Sequence, residues 1–218
     1  MLIIGHRGAK GLAPENTIKA IKAGIAAGAD WIEVDVRATQ DRQVVLAHDA
    51  TTTLAPNKKY VIAKTPSSEF AAAGKDRRIP TLQNAVKQMA GQTLNIELKS
   101  SGCEQAVRDA VEQLGYSRVV VSSFSRALLQ QIYCLDPKIR IALLLAFNPF
   151  AFRKMSGLYA VGFHHLFAPR SAIALAKKQG LFTYAYTIDS SVRAQALVAR
   201  GIDAIVTNYP NKFKNSAS

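Results

Sequence analysis

The chain has 218 residues, 49% of them hydrophobic, which is enough for one sizeable core and close to the lower limit for an eight-unit barrel. Lys and Arg number 28 against 15 Asp and Glu, so the formal net charge is +13 and favours anionic partners. The basic residues are scattered and form no recognisable nucleic-acid-binding module, which excludes nucleic acid as the expected partner and leaves phosphate-bearing small molecules.

Apolar strand-like runs alternate with helical patterns along the whole chain, an arrangement typical of parallel βα units. We therefore predict a TIM-type (β/α)8 barrel in a single domain spanning residues 1–218. Strands are predicted at 2–5, 31–36, 43–48, 94–98, 118–122, 139–145, 161–166, 182–187 and 203–207. Helices are predicted at 14–27, 81–90, 103–114, 125–135, 169–179 and 190–200.

Nine strand candidates exceed the eight that a barrel needs. The link 38–42 is too short for a helical crossover, so the second and third candidates are predicted to form a hairpin. A turn at Asp41-Arg42 would place Asp35 opposite His48, and which of the two segments is a barrel strand stays open. Residues 50–78 lose all periodicity and predict a short insertion after the third strand-like segment, over the mouth of the site.

Three carboxylates lie in or at the end of predicted strands. Glu33 and Asp35 are two residues apart and share one side of their strand, and Glu97 ends another strand. Buried together they would repel one another unless protons or a cation compensated their charge. Such an all-oxygen set suits Mg²⁺ or Ca²⁺ better than zinc. The alternative is a structural cluster salt-bridged to Arg7 and Lys99.

Two histidines at strand ends, His6 and His48, are the candidate catalytic acid and base, because imidazole can both give and take a proton near neutral pH. Arg7 and Lys99 are candidate ligands of a substrate phosphate, a function compatible with neutralising the acids. His164-His165 lack carboxylate companions nearby in the sequence and are interpreted as core or rim residues. Candidate pocket-lining residues are Asn16, Ser122 and Tyr186, with a helix-start function as the alternative for Asn16.

Eight stretches together carry a family resemblance: HRGAKGLAPENT (6–17), IEVDVRATQD (32–41), VVLAHD (44–49), IPTL (79–82), NIELK (95–99), SSF (122–124), and the late YTID and IVTNYP segments. In this order they resemble the glycerophosphodiester phosphodiesterase family. The resemblance implies metal-dependent hydrolysis of glycerophosphodiesters to sn-glycerol 3-phosphate and an alcohol, with a divalent ion at Glu33, Asp35 and Glu97. Attack by the glycerol 2-hydroxyl or directly by water stays open. Asn208 stands where the family commonly has aspartate, a change expected to tune substrate contacts.

Two other functions compete with this one. The apolar and basic stretch 146–154 favours a lysophospholipase D acting on lipid-sized substrates. A non-catalytic barrel that binds anionic membranes would depend on that stretch and the net charge alone, and the paired histidines argue against it. Weak peripheral membrane contact through Phe147, Phe150, Phe152, Arg153 and Lys154 is a further expectation, with ordinary core packing of the phenylalanines as its alternative.

The chain enters its first predicted strand at Leu2 without the pattern of a secretory signal, so a cytoplasmic protein is expected. The most apolar stretch, 141–152, contains Asn148 and Pro149 and is too short to span a bilayer. Cys103 and Cys134 have no metal-ligand spacing and are interpreted as ordinary thiols. No feature of the sequence indicates the oligomeric state.

Overall fold

The computed structural model describes residues 1–55, 58–72 and 79–214. Its strands are β1 (Leu2–Gly5), β2 (Trp31–Ala38), β3 (Val44–Leu46), β4 (Thr51–Ala55), β5 (Lys58–Val61), β6 (Thr93–Leu98), β7 (Val119–Ser123), β8 (Arg140–Leu145), β9 (Leu158–His164), β10 (Phe182–Tyr186) and β11 (Ala204–Thr207). Its α-helices are α1 (Ile18–Ala26), α2 (Ser67–Ala72), α3 (Leu82–Val86), α4 (Glu104–Leu114), α5 (Arg126–Leu135), α6 (Arg170–Lys178), α7 (Ser191–Val198) and α8 (Asn211–Lys214).

Eight parallel strands close into a barrel in the order β1, β2, β6, β7, β8, β9, β10, β11, and β11 pairs with β1 to complete the circle. The predicted TIM-type barrel is therefore confirmed. Connections run from one end of each strand to the start of the next, so the carboxyl ends of all eight strands meet at one face. In this fold that face holds the functional site.

The second and third strand candidates form the predicted hairpin, and β2 is the barrel strand while β3 lies antiparallel beside it. The predicted register is wrong by one residue. Val36 pairs with Leu46, so Asp35 lies opposite Ala47, whose N–H donates to the Asp35 carbonyl at 3.0 Å. His48 follows one position later, outside the ladder.

Apolar side chains pack on both the outer and the inner side of the barrel wall. Strand residues with outward side chains, such as Ile32, Val34 and Ile96, pack with the helices in one large core. A smaller inner core fills the barrel and includes Ile4, Trp31, Val120, Ala142, Leu144, Ala160, Tyr184, Ala204 and Val206. Because side chains alternate along a strand, Glu33 and Asp35 point inward like Trp31, toward the carboxyl end of the barrel.

Most helices begin and end within two residues of the predicted positions, but α3 ends at Val86, four residues before its predicted end, and the first helix begins late. The first helix begins at Ile18, because the Thr17 hydroxyl accepts from the Ala20 N–H at 3.1 Å and caps it. The preceding segment is a turn, so Pro14 lies outside the helix. The connection from β8 to β9 contains a single turn of 3-10 helix, Ala151–Lys154, whose Phe152 is buried against Phe163.

Part of the predicted insertion 50–78 is described by the structure. β4 and β5 form an antiparallel hairpin, followed by a 3-10 turn at Ile62–Lys64 and by α2. Ile62 and Phe70 pack on Val45 in a small separate cluster. Residues 56–57 and 73–78 of the insertion lie outside the described residues. In the described part of the chain no helix has the length and apolarity needed to cross a membrane.

Candidate active site

The turn at residues 6–8 depends on glycines that allow close packing. A Cβ on Gly5 would lie 2.0 Å from the Gly8 carbonyl oxygen, and one on Gly8, whose φ is +87°, would lie 2.5 Å from the Ala20 carbonyl carbon. The turn therefore packs closely against both β1 and α1. Arg7 adopts a left-handed φ of 50° and donates its N–H to Glu33 Oε2 at 2.7 Å. The glycines therefore bring the turn against the acidic strand β2.

The three predicted carboxylates meet as expected. Glu33, Asp35 and Glu97 are buried, and one oxygen from each lies within 4.8 Å of the others. Burial, together with the charge of Asp35, raises the pKa of Glu33 well above its ordinary value and that of Glu97 to about 7. Burial therefore favours the protonated forms of Glu33 and Glu97 over their carboxylates.

Two basic side chains contact this cluster. Lys99 Nζ lies 3.1 Å from Asp35 Oδ1 and also contacts Glu97 Oε1. Arg7 Nε lies 3.2 Å from Asp35 Oδ2, and its Nη1 lies 2.6 Å from Glu15 Oε1. Although burial favours the protonated acid, Lys99 and Arg7 hold the pKa of Asp35 below its ordinary value. The alternative of a structural cluster held by salt bridges thus fits the contacts of Asp35 but does not fit those of Glu33.

The site fits a hard divalent cation. Glu33 Oε1, Asn95 Oδ1 and Ser122 Oγ are buried and lack a hydrogen-bond partner among the described residues. Burying polar oxygens without a partner is costly, and a cation is one way to satisfy them. All these atoms are oxygens, the ligand type of Mg²⁺ and Ca²⁺. The donor set is compatible with the predicted ion.

Both predicted histidines line the same cavity. His6 Nδ1 lies 2.7 Å from Asn208 Oδ1, and burial lowers the pKa of His6 to about 4 despite this hydrogen bond. His48 Nδ1 lies 2.8 Å from Asp49 Oδ1, and the His48 side chain is 37% exposed. The cavity therefore has one largely buried histidine directly after β1 and one more exposed histidine beyond β3.

Most of the other predicted residues line this cavity too. Among them are Arg7, Lys99, Ser122 and Tyr186. Asn16 lies behind Asp35: its amide nitrogen donates to Asp35 Oδ2 at 2.9 Å, and its oxygen accepts from the Asp35 N–H at 3.1 Å. Thr17, not Asn16, caps the helix. The cavity is completed by Glu33, Glu97, Asn95, Phe124, Leu144, Tyr184, Thr187 and Val206.

Three polar contributors to the site were not predicted. Arg37 follows Asp35 by two residues on the same strand, a spacing that could have identified it, and donates from Nη1 to the Lys99 carbonyl at 3.2 Å. Asn95 precedes Glu97 with the same spacing. Asp189 contacts Asn208 and therefore lies behind His6. No comparable spacing points to Asp189.

A row of rings leads outward from the cavity across the barrel rim. Neighbouring ring centroids in it are 5.6–5.8 Å apart. In order, the row is Phe124, Tyr186, His164, Phe167 and Phe147. Phe147 is 78% exposed at its outer end, whereas Phe152 is 1% exposed. The interpretation of the phenylalanines as core is thus right for Phe152 and wrong for Phe147, and His164 is a rim residue.

Comparison with known proteins gives a consistent result. Residues 6–212 match the glycerophosphoryl diester phosphodiesterase family. The protein YhdW of Bacillus subtilis is 34% identical over 97% of this chain and 96% of its own length. A glycerophosphodiester phosphodiesterase of Caldanaerobacter subterraneus subsp. tengcongensis is 27% identical, with 98% and 96% covered. A phosphodiesterase of Oleispira antarctica, solved in complex with the product sn-glycerol-3-phosphate, superposes with a TM-score of 0.86 at 27% identity, covering 99% of this chain and 96% of that one.

Proposed function

Because this chain belongs to the glycerophosphoryl diester phosphodiesterase family of phosphoric diester hydrolases, we propose that it cleaves glycerophosphodiesters to sn-glycerol 3-phosphate and an alcohol in a metal-dependent reaction. The observation that carries this proposal is a cluster of three buried carboxylates, two of which, Glu33 and Glu97, line one cavity together with His6 and His48. A phosphodiester needs a cation for its oxygens, a base for the nucleophile and an acid for the leaving group. Each requirement has a candidate among these side chains.

Glu33, Asp35 and Glu97 would hold the divalent ion. When bound, Mg²⁺ or Ca²⁺ supplies positive charge that polarises the phosphate and stabilises charge on its oxygens. Glu33 Oε1 has no hydrogen-bond partner in the described residues, which makes it the most available ligand atom. The side chains of Arg7 and Lys99 are each 14% exposed at the cavity, and we assign them to the phosphate oxygens as well as to the acids.

The two histidines are assigned different proton transfers. The buried His6 is neutral at pH 7 because its pKa is about 4, so it can accept a proton from the attacking oxygen. His48 is more exposed and also lines a second pocket, with Asp49, Thr51 and Thr52, through which an alcohol can leave. We therefore assign it to protonating the departing alkoxide. These roles are the same whether the glycerol 2-hydroxyl or water attacks.

Product analysis tests the proposal. Glycerophosphocholine or glycerophosphoethanolamine is incubated with metal-stripped protein, with and without added Mg²⁺ or Ca²⁺, and glycerol 3-phosphate is measured. We expect turnover that depends on the added ion. Full turnover in excess chelator would refute the metal dependence, and glycerol with a phosphorylated alcohol as products would refute the bond assignment.

A second candidate function, lysophospholipase D activity on lipid substrates, is favoured by the row of rings. The row begins inside the cavity at Phe124 and Tyr186 and continues to the exposed Phe147. An apolar chain on the alcohol side could lie along it. Burying each CH₂ group is worth roughly 0.8 kcal/mol at most, so chain length should raise kcat/KM several-fold per two carbons.

A series of glycerophospho-alcohols with increasing alkyl chains tests this candidate. We expect Phe147→Ser to reduce the gain in kcat/KM with chain length while leaving short substrates unaffected. The matched control is Val192→Ser, which removes an equally exposed apolar side chain on α7. A flat response to chain length in the unaltered protein would eliminate the candidate.

A further inference from the structure

Asp189 is bound by hydrogen-bond donors from the end of β11. Its Oδ1 accepts from the Thr207 hydroxyl at 3.0 Å and from the Asn208 N–H at 2.9 Å. Its Oδ2 accepts from Asn208 Nδ2 at 2.6 Å. These three hydrogen bonds hold the carboxylate in one orientation beside the Asn208 side chain.

The hydrogen bond to Asp189 determines the orientation of the Asn208 side-chain amide. An ionised carboxylate only accepts hydrogen bonds, so the NH₂ group of Asn208 must face Asp189. The amide oxygen then faces the other way, and it lies 2.7 Å from His6 Nδ1. An amide oxygen also only accepts, so the proton of the neutral imidazole must be on Nδ1. The lone pair is left on Nε2.

We propose that Asp189 and Asn208 are positioning residues, which hold His6 in the Nδ1–H tautomer so that Nε2 is free to take the proton of the attacking hydroxyl. The inference rests on the proposed function of His6 as general base. When the O–H bond of the nucleophile breaks, its proton goes to Nε2 and the oxygen electron pair forms a bond to phosphorus, while the bond from phosphorus to the alcohol oxygen breaks and His48 protonates that oxygen. The ring becomes a cation with both nitrogens protonated. Nδ1–H stays bonded to Asn208, and the Asp189 carboxylate behind it stabilises the new charge.

Replacing one carboxylate oxygen of Asp189 by an NH₂ group tests the polarity of the hydrogen bonds from Asp189 through Asn208 to His6. Asp189→Asn keeps the shape but places an NH₂ group opposite the NH₂ group of Asn208. The Asn208 amide then turns, presents its own NH₂ to His6, and moves the imidazole proton to Nε2. We expect kcat to fall roughly 10²-fold or more, with KM changed little, because the base is blocked while the substrate contacts remain.

The exchange variant Asp189→Asn with Asn208→Asp restores the polarity. The amide at position 189 donates to the carboxylate at position 208, which still accepts from His6 Nδ1. We expect this double variant to recover most of the lost kcat. A merely structural contact between the two residues would predict additive losses instead. Recovery no better than either single variant would overturn the proposal.

The tautomer itself is measured by ¹⁵N NMR of histidine-labelled protein with Mg²⁺, with the His6 resonances identified by their loss in His6→Asn. We expect the Nδ1–H pattern in the unaltered protein and the Nε2–H pattern in Asp189→Asn. An Nε2–H pattern in the unaltered protein overturns the proposal even if neither the Asp189 variant nor the exchange variant folds. Normal turnover by His6→Asn would instead refute the base assignment of the proposed function, so the two failures are distinguishable.

Discussion

The guanidinium of Arg37 holds the main-chain carbonyl of His48 with two hydrogen bonds, from Nε at 2.9 Å and from Nη2 at 2.8 Å. Its third donor, Nη1, reaches the Lys99 carbonyl, 62 residues further along the chain. One side chain on β2 therefore ties together the loop after β3 and the end of β6. The relative positions of His48 and Lys99 depend on this side chain.

Arg37→Lys tests that dependence. A lysine ammonium is a point donor and cannot hold both carbonyls in the fork geometry of arginine. We expect kcat to fall roughly 10-fold with a smaller change in melting temperature, because small displacements of a proton carrier are costly. Arg108→Lys on α4, whose guanidinium forms an exposed pair with Glu112, is the matched control. Equal kcat in the two variants would show that Arg37 does not position His48.

Removal of single charges from the acidic cluster should weaken the metal site. We expect Glu33→Gln, Asp35→Asn and Glu97→Gln each to lower the affinity for Mg²⁺ or Ca²⁺, measured by calorimetry and by the metal dependence of turnover. Glu112→Gln on the exposed face of α4 should leave affinity unchanged. Unaltered metal affinity in all three cluster variants would remove these residues from the site.

Substitution of the histidines should affect chemistry more than binding. We expect His6→Ala and His48→Ala each to lower kcat roughly 10²-fold or more with little change in KM. A substrate with an activated leaving group needs no acid, so it should rescue His48→Ala in part and His6→Ala hardly at all. The opposite pattern of rescue would exchange the two assignments. Near-normal kcat in folded His48→Ala would exclude it from the mechanism.

The raised pKa of Glu97 makes a prediction about stability without metal. Glu97 has a pKa of about 7 in the folded protein against an ordinary 4.5, so folding favours its protonated form, and this contribution is lost as pH rises from 4.5 to 7. Glu97→Gln removes the loss. We expect the free energy of unfolding of this variant, relative to the unaltered protein in chelator, to increase by about 3 kcal/mol at most across that range.

Urea unfolding at several pH values measures this difference. The comparison between two proteins is needed because His6, with a pKa lowered to about 4, gives the opposite slope between pH 4 and 6.5. That slope is common to both proteins and cancels. A difference that is constant with pH would show that Glu97 is ionised throughout. Saturating Mg²⁺ should reduce the difference at pH 7, since the ion favours the carboxylate of the unaltered protein.

Membrane contact by the rim segment is the last prediction. Phe147 is exposed, Phe150 is 38% exposed, and Arg153 and Lys154 are exposed beside them. We expect weak binding to anionic vesicles at low salt, measured by co-sedimentation and reduced by Phe150→Ser combined with Arg153→Ser and Lys154→Ser. Neutral vesicles provide the control. Undetectable binding at low salt, or binding unchanged by the triple substitution, would contradict membrane contact.

Much of the barrel was predictable because its strands are mostly apolar and its helices carry clear periodicity. The register of the β2–β3 hairpin was not predicted correctly. The loop Gln40–Asp41–Arg42 has three residues, of which Arg42 takes a left-handed φ of 61°, and such a loop moves the register by one position relative to a two-residue turn. Glycine or asparagine would have indicated that conformation, and arginine does not.

The candidate site was predictable to the extent that its residues end strands. Glu33, Asp35 and Glu97 share a face by simple alternation, and barrel closure brings them together. The connection between Asn208 and Asp189 was beyond sequence reasoning. The connection depends on the orientation of the Asn208 amide. That orientation is set by contacts with Asp189, 19 residues away in the sequence, and with His6, 202 residues away.

The pairing of β1 with β11 gives the candidate site a fixed order of assembly. The proposed base follows the first strand, and the amide proposed to set its tautomer follows the last one, so the two can meet only when the ring of strands is complete. A nascent or partly unfolded chain has all its acids and histidines but not the orientation of one imidazole. Turnover in this protein would thus report barrel closure itself, and recovery of activity after denaturation should follow the final docking event, later than the return of helical signal.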